Sequence, residues 1–139
     1  MKKILVAYDG TEPADHALAT AIDLAKAIDL AKAFGAAIGV ASVVPVHPGR
    51  SPIDPWDDSA VHTQQLAKAQ RILTEAGIEP QLHKLGGDPA HVIEQIAEED
   101  GYDVIVLGSR GLGALGRVLQ GSVSEHVATH AKATVLITR

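Results

Sequence analysis

DVIVLGSRGLGALGRVLQGSVSEHV, residues 103–127, runs from an apolar segment through a glycine-rich segment into a helical pattern. Val104–Leu107 are all apolar, which is typical of a strand covered on both faces in a parallel sheet. Five of the chain's 13 glycines follow, between Gly108 and Ser122. Ser122 precedes Glu125 by three residues, the spacing of a capping box, so a helix is predicted to begin at Ser122. This order of strand, loop and helix indicates an α/β protein.

The rest of the chain repeats the alternation of short apolar runs and helical patterns. The predicted strands cover Ile4–Ala7, Ala37–Val44, Gln81–Leu85, Asp103–Leu107 and Thr134–Thr138. The predicted helices run from about Glu12 to Phe34, Ser59 to Ala76, Pro89 to Asp100 and Ser122 to Ala131. Right-handed crossovers between parallel strands then give a three-layer α/β/α sandwich around a five-stranded sheet. The first and fourth strands are the most apolar, so we expect them at the centre with a ligand site at their carboxyl ends.

Two segments complicate this pattern. Residues 45–58 hold four prolines, which predicts a connection without helix or interior strand. The six residues Ala21–Lys26 (AIDLAK) recur unchanged as Ala27–Lys32, which indicates a local duplication. An overlong first helix and a displaced second copy both fit the sequence.

Composition excludes several classes of function. The chain has 139 residues, which predicts one domain over residues 1–139, and it lacks cysteine, so disulfides, thiolate zinc sites and cysteine nucleophiles are excluded. Its net charge is −5, without a basic tract, which argues against a nucleic-acid partner. The sequence contains no stretch of 18 apolar residues, so a membrane span is not expected. We expect a soluble, cytoplasmic protein.

The glycine-rich segment is predicted to bind phosphate. Glycines let backbone N–H groups turn toward an anion, and the helix at Ser122 offers further free N–H groups. A Walker loop is excluded because Gly116 is followed by Arg117 rather than lysine, and a dinucleotide fingerprint fits poorly after the fourth strand. The pattern that remains is Gly-x2-Gly-x9-Gly-Ser. A plain connection between strand and helix is the alternative.

The quoted segment, together with KILVAYDGT near the start, GVASVVP on the second strand and TVLITR at the end, resembles the universal stress protein family. The glycine pattern resembles the ATP-binding branch of that family. The resemblance implies strand order 3-2-1-4-5, ATP across strands one and four, and a homodimer through the last strand. It also implies a stress-response or signalling module that works by binding ATP, with magnesium or manganese. A slow ATPase or an ATP-cleaving enzyme of the same fold is the alternative.

The resemblance also assigns roles to single residues. Asp9 would hold the ribose, and the backbone of Val43 would meet the adenine. Ala7 and Leu107 would line the base pocket. The phosphates would lie against Gly108, Gly111, Gly121, Ser122, Val123 and Ser124.

Other candidates for chemistry are weaker. His126 and His130 lie one helical turn apart, as a metal pair would, but no third ligand is evident, so the sequence favours a solvated face. No Gly-x-Ser-x-Gly elbow exists, and the sequence pairs no serine with a base. We therefore assign no catalytic residue and no metal ligand from the sequence.

Overall fold

A computed structural model describes residues 3–31, 37–45, 55–108 and 122–138. The strands are β1 (Lys3–Ala7), β2 (Ala37–Pro45), β3 (Gln81–Gly87), β4 (Val104–Gly108) and β5 (Thr134–Thr138). The helices are α1 (Glu12–Ala31), α2 (Pro55–Glu75), α3 (Pro89–Glu99) and α4 (Ser122–His130). All paired strands are parallel, and the sheet order is β3-β2-β1-β4-β5. The predicted fold and strand order are confirmed.

The sheet separates two cores, as the alternation of side chains along a strand requires. Ile4, Val6 and Tyr8 are fully buried on one face, where they pack with α1 and α2. Leu5 and Ala7 are buried on the other face, where they pack with α3 and α4. β1 is therefore covered on both faces, and the apolar run at the start of the chain is explained.

The start of the second helix was predicted wrongly. α2 begins at Pro55, so the last four residues of the proline-rich segment are helical. Proline is tolerated in the first helical turn, since the N–H that it lacks has no partner there in any case. Residues 46–54 of the predicted connection lie outside the described part of the chain. The remaining predicted ends differ from the structure by at most two residues, apart from Phe34, which also lies outside the described residues.

The duplicated segment extends the first helix. α1 runs without interruption through the first copy and through residues 27–31 of the second copy, so the overlong helix is the form that the described residues adopt. Ala21, Ile22 and Ala25 of the first copy are buried against the sheet. Lys32 lies outside the described residues. The start of α1, next to the carboxyl end of β1, lies nine residues before the first copy.

The third helix begins as its sequence predicts. Asp88 adopts an extended backbone, and its Oδ2 accepts a hydrogen bond from the backbone N–H of His91 at 3.1 Å. Pro89 occupies the first helical turn. Among the helices within the described ranges, none is both long and apolar enough to cross a membrane.

Candidate functional site

The carboxyl ends of β1 and β4 lie side by side at the centre of the sheet. Leu5 pairs with Ile105 and Val6 with Val106, and each strand ends shortly afterwards. Gly10 has φ +78°, a conformation that glycine adopts easily, and it turns the chain from β1 into α1. This is the topological switch point at which ligands of doubly wound sheets bind.

Asp9 uses one carboxylate oxygen to hold that turn. Its Oδ1 accepts hydrogen bonds from the backbone N–H of Thr11 at 3.0 Å and from the Thr11 hydroxyl at 2.5 Å. The backbone carbonyl of Thr11 in turn accepts from the N–H of Asp15 at 2.9 Å. Asp9 therefore fixes the start of α1 with one half of its carboxylate.

The other oxygen, Asp9 Oδ2, is buried and has no hydrogen-bond partner among the described residues. Gln65 Oε1 of α2 is in the same condition, and Gln65 packs over the neighbouring turn: a Cβ on Gly10 would lie 3.0 Å from its Cγ. Buried polar atoms are almost always hydrogen-bonded, so these two acceptors beside one turn are available to donors of a ligand or of water. Sequence reasoning missed Gln65, because nothing in the pattern of α2 relates it to Gly10.

The residues predicted to line the base pocket belong to an apolar cluster on one face of the sheet. Ala7, Val43 and Leu107 are buried in the same cluster, and Val123 packs against it. The last described pairing of β2 with β1 joins Ala41 to Ala7, and the Ala41 carbonyl also accepts from the N–H of Tyr8 at 2.8 Å. Val43 lies two residues further on, where β1 has ended. The structure thus brings these four residues together at the switch point.

Gly108 has a packing role of its own. A Cβ at this position would lie 2.8 Å from the backbone oxygen of Pro13 and 2.9 Å from its carbonyl carbon. Backbone atoms cannot move aside cheaply, so β4 and the first turn of α1 approach closely only because residue 108 lacks a side chain. This constraint holds whether or not Gly108 also contacts phosphate.

The remaining predicted phosphate ligands are only partly described. Gly111 and Gly121 lie outside the described residues. The backbones of Ser122, Val123 and Ser124 form the first turn of α4, where N–H groups have no partner within the helix. Such a turn carries a partial positive charge and accommodates anions.

Two polar networks flank the site on the α1 and α2 side. The Tyr8 hydroxyl donates to Asp15 Oδ1 at 2.5 Å, and Lys68 Nζ lies 3.1 Å from Asp15 Oδ2. Burial, and then the neighbouring Asp15 carboxylate, raise the pKa of Tyr8 far above its usual value, so the phenol stays neutral. This network anchors α1 and α2 to the end of β1.

The second network corrects the expectation that no serine meets a base. Ser42 Oγ lies 2.5 Å from His62 Nδ1. Ser42 is fully buried, and the pair joins β2 to α2.

Comparison with known proteins decides the family, because the model of the universal stress protein family matches residues 1–139. The chain belongs to the universal stress protein family. A universal stress protein of Thermus aquaticus is 36% identical over 146 residues, an alignment that covers 99% of this chain and 98% of that relative.

Two solved structures of the family share the fold. A universal stress protein from Archaeoglobus fulgidus in complex with dAMP is 23% identical, with a TM-score of 0.71 and coverage of 100% of this chain and 98% of that one. A family protein from Arabidopsis thaliana with AMP bound is 24% identical, with a TM-score of 0.71 and coverage of 99% and 90%. Members with this architecture therefore include proteins that hold adenine nucleotides.

Proposed function

We propose that this chain binds ATP, together with Mg²⁺ or Mn²⁺, at the carboxyl ends of β1 and β4. It would act as a nucleotide-dependent stress-response or signalling module rather than by turnover. The observation that carries the proposal is the buried Asp9 Oδ2, which has no partner among the described residues. A carboxylate oxygen held there by the turn at Thr11 is placed to accept hydrogen bonds from ribose hydroxyl groups.

The wall beside Asp9 suits a purine base. Ala7, Val43 and Leu107 belong to one apolar cluster, and Val43 lies two residues beyond the last pairing of β2 with β1, where a base edge would meet its backbone. The two family members with AMP and dAMP support an adenine nucleotide as the ligand class.

The choice of a triphosphate rests on the glycine pattern. Gly108, Gly111, Gly121 and Ser122 follow the spacing Gly-x2-Gly-x9-Gly-Ser, and the first turn of α4 adds N–H donors. The chain is acidic, with net charge −5, so a divalent cation would offset the charge of the phosphates.

We also propose a homodimer through β5. This strand is at the edge of the sheet, and its Leu136 and Ile137 are 37% and 41% exposed. An apolar edge strand is a ready template for a second copy, and a twofold contact would satisfy both edges. A monomer in sedimentation at tens of micromolar would contradict this part of the proposal.

Calorimetry on nucleotide-free protein tests the nucleotide. Heat of binding and a rise in melting temperature with MgATP would support the proposal. The absence of both signals at millimolar MgATP would refute it. Mass spectrometry of nucleotide released from freshly purified protein identifies the physiological ligand. ADP release over hours, with and without magnesium, separates a binding module from a slow ATPase.

A further inference from the structure

Two histidines on α4 meet a glutamate from α3, away from the nucleotide site. His126 and His130 are one turn apart, and their rings stack with centroids 4.2 Å apart and planes inclined by 23°. Glu94 Oε1 lies 2.9 Å from His126 Nδ1. One potential ligand atom from each of the three residues lies within 4.8 Å of the other two. Sequence reasoning found the histidine pair but not this third residue, because α3 and α4 meet only in the fold.

Hydrogen bonds orient both imidazoles. His130 Nδ1 lies 3.0 Å from the backbone carbonyl of His126, which can only accept, so this nitrogen carries the proton when the ring is neutral. The lone pair of His130 is then on Nε2. His126 Nδ1 lies 2.9 Å from Glu94 Oε1; because Glu94 is itself a ligand of the proposed site, this hydrogen bond is given up when the metal binds, and the exposed His126 ring can then offer a nitrogen to the metal. A histidine whose other nitrogen is held by a carboxylate or carbonyl is the usual form of a metal ligand.

We propose that Glu94, His126 and His130 bind a divalent transition metal of the zinc class. Two imidazoles and a carboxylate suit Zn²⁺, Ni²⁺ or Cu²⁺ rather than Mg²⁺, which prefers oxygen ligands. Ligand atoms on one tetrahedral zinc are about 3.3 Å apart, given bonds of about 2.0–2.1 Å. Side-chain rotations close the difference from the present separations, since both histidines are exposed.

A neighbouring cleft supplies the open side of this site. Glu94 and His130 line a cleft of about 390 Å³, together with Glu98, Asp103 and Lys132. The three carboxylates outnumber the single lysine, and Lys132 lies 3.2 Å from Glu98, so the cleft attracts a cation. Three protein ligands beside a cleft leave one coordination position for water or a small ligand.

The site is independent of the nucleotide. The cleft includes Asp103 and Thr134, which stand at the amino ends of β4 and β5, whereas Asp9 is at the carboxyl end of β1. His126 and His130 are two and six residues beyond Ser124, or about 3 and 9 Å along α4. Metal binding is therefore expected in protein that holds no nucleotide.

Titration of untagged, chelator-treated full-length protein with ZnCl₂ alone tests the proposal. We expect one equivalent of zinc per chain, and affinity reduced about 30-fold or more in His126→Ala and in His130→Ala, and about tenfold in Glu94→Gln. His91→Ala is the matched control, an exposed histidine of α3 outside the cluster, and it should bind as the wild type does. Co²⁺ in place of zinc should give the visible absorption of a tetrahedral site.

Three results would overturn the proposal. The first is a wild-type protein that binds zinc no more tightly than the double variant His126→Ala/His130→Ala. The second is an equal loss in His91→Ala, and the third is a Glu94→Gln variant with unchanged affinity. Melting temperatures in chelator show whether each variant is folded, and all three ligand residues lie at the surface or near it.

Discussion

The two ends of the central sheet differ in whether their buried polar groups have hydrogen-bond partners. At the carboxyl end, Asp9 Oδ2 and Gln65 Oε1 are buried without partners among the described residues. At the amino end, Tyr102 is 4% exposed. Its hydroxyl donates to Gln81 Oε1 at 3.1 Å and lies 2.7 Å from His83 Nε2. Lys3 Nζ stands 4.6 Å from the centre of the Tyr102 ring.

This difference separates binding from stability. An unpaired buried acceptor costs about 1–3 kcal/mol, so a fold that keeps two of them beside one turn gains nothing in stability from them. A satisfied network such as that of Tyr102 costs nothing comparable and holds strands and loops together. We therefore expect substitutions at the amino end to reduce the free energy of unfolding, and substitutions at the carboxyl end to act on ligand binding.

Gly39→Ala should have the largest effect on stability. A Cβ at Gly39 would overlap the Tyr102 hydroxyl and lie within 2.8 Å of its ring. Displacing the tyrosine should reduce the free energy of unfolding by about 3 kcal/mol in urea titrations. In a Tyr102→Leu background the same substitution should cost much less, and an equal cost in both backgrounds would contradict the assigned contact.

Tyr102→Phe should reduce the free energy of unfolding by about 1.5 kcal/mol, because it leaves His83 and Gln81 without the hydroxyl. Burial, with a smaller contribution from Asp100, raises the pKa of Tyr102 to about 12, so the lost group is a neutral phenol. Thermal and urea unfolding measure the change. A variant as stable as the wild type would show that this network does not stabilise the amino end.

Gln65→Leu should have the opposite sign. It replaces a buried amide oxygen that has no partner among the described residues with an apolar group of similar shape, which should raise the free energy of unfolding by about 1 kcal/mol in nucleotide-free protein. Gln64→Leu, at an exposed position on the same helix, is the matched control and should not stabilise. A loss of stability in Gln65→Leu would mean that Gln65 has a structural partner.

The smallest effect concerns pH. Burial, and to a lesser extent Lys3, lower the pKa of His83, while Asp100 opposes them. In the unfolded chain, the imidazole of His83 binds a proton near the ordinary histidine pKa of about 6.5, whereas in the folded chain it binds that proton only at lower pH. The free energy of unfolding therefore falls as the pH falls below about 6.5. His83→Gln should reduce this decline between pH 7.5 and 5.5 by less than about 1 kcal/mol. An unchanged pH profile would contradict the assignment.

The fold could be predicted from the sequence because its signals are local. The apolar run of β4, the capping pattern at Asp88 and the alternation of strands and helices each lie within a few residues. The position of Asp9 at the switch point follows from the same pattern, since it comes directly after β1. The start of α2 at Pro55 is not evident from the sequence, because four prolines in one segment favour an irregular connection although proline is allowed in the first helical turn.

The contacts between elements could not be predicted. Gln65 reaches Gly10 across 55 positions of sequence, Ser42 meets His62, and Glu94 meets His126, and periodicity relates none of these pairs. The resemblance implies that Gly108 is a phosphate ligand, but its close approach to Pro13 depends on how α1 packs on β4 and is visible only in the structure.

The central proposal is that Asp9 Oδ2, which has no partner among the described residues, accepts hydrogen bonds from a ribose, and one calorimetric cycle tests it most directly. MgATP and its 2′,3′-dideoxy analogue are titrated into wild-type protein, Asp9→Asn and the exposed control Asp23→Asn. Asparagine retains the acceptor at Oδ1 for Thr11 but places an NH₂ group at Oδ2.

We expect the wild type and Asp23→Asn to bind the dideoxy analogue about 10- to 100-fold more weakly than MgATP, equivalent to about 1.5–3 kcal/mol. Asp9→Asn should lose a similar factor for MgATP and little more for the analogue, because the two changes remove the same hydrogen bond. Full affinity of Asp9→Asn for MgATP, or losses that simply add, would contradict the claim.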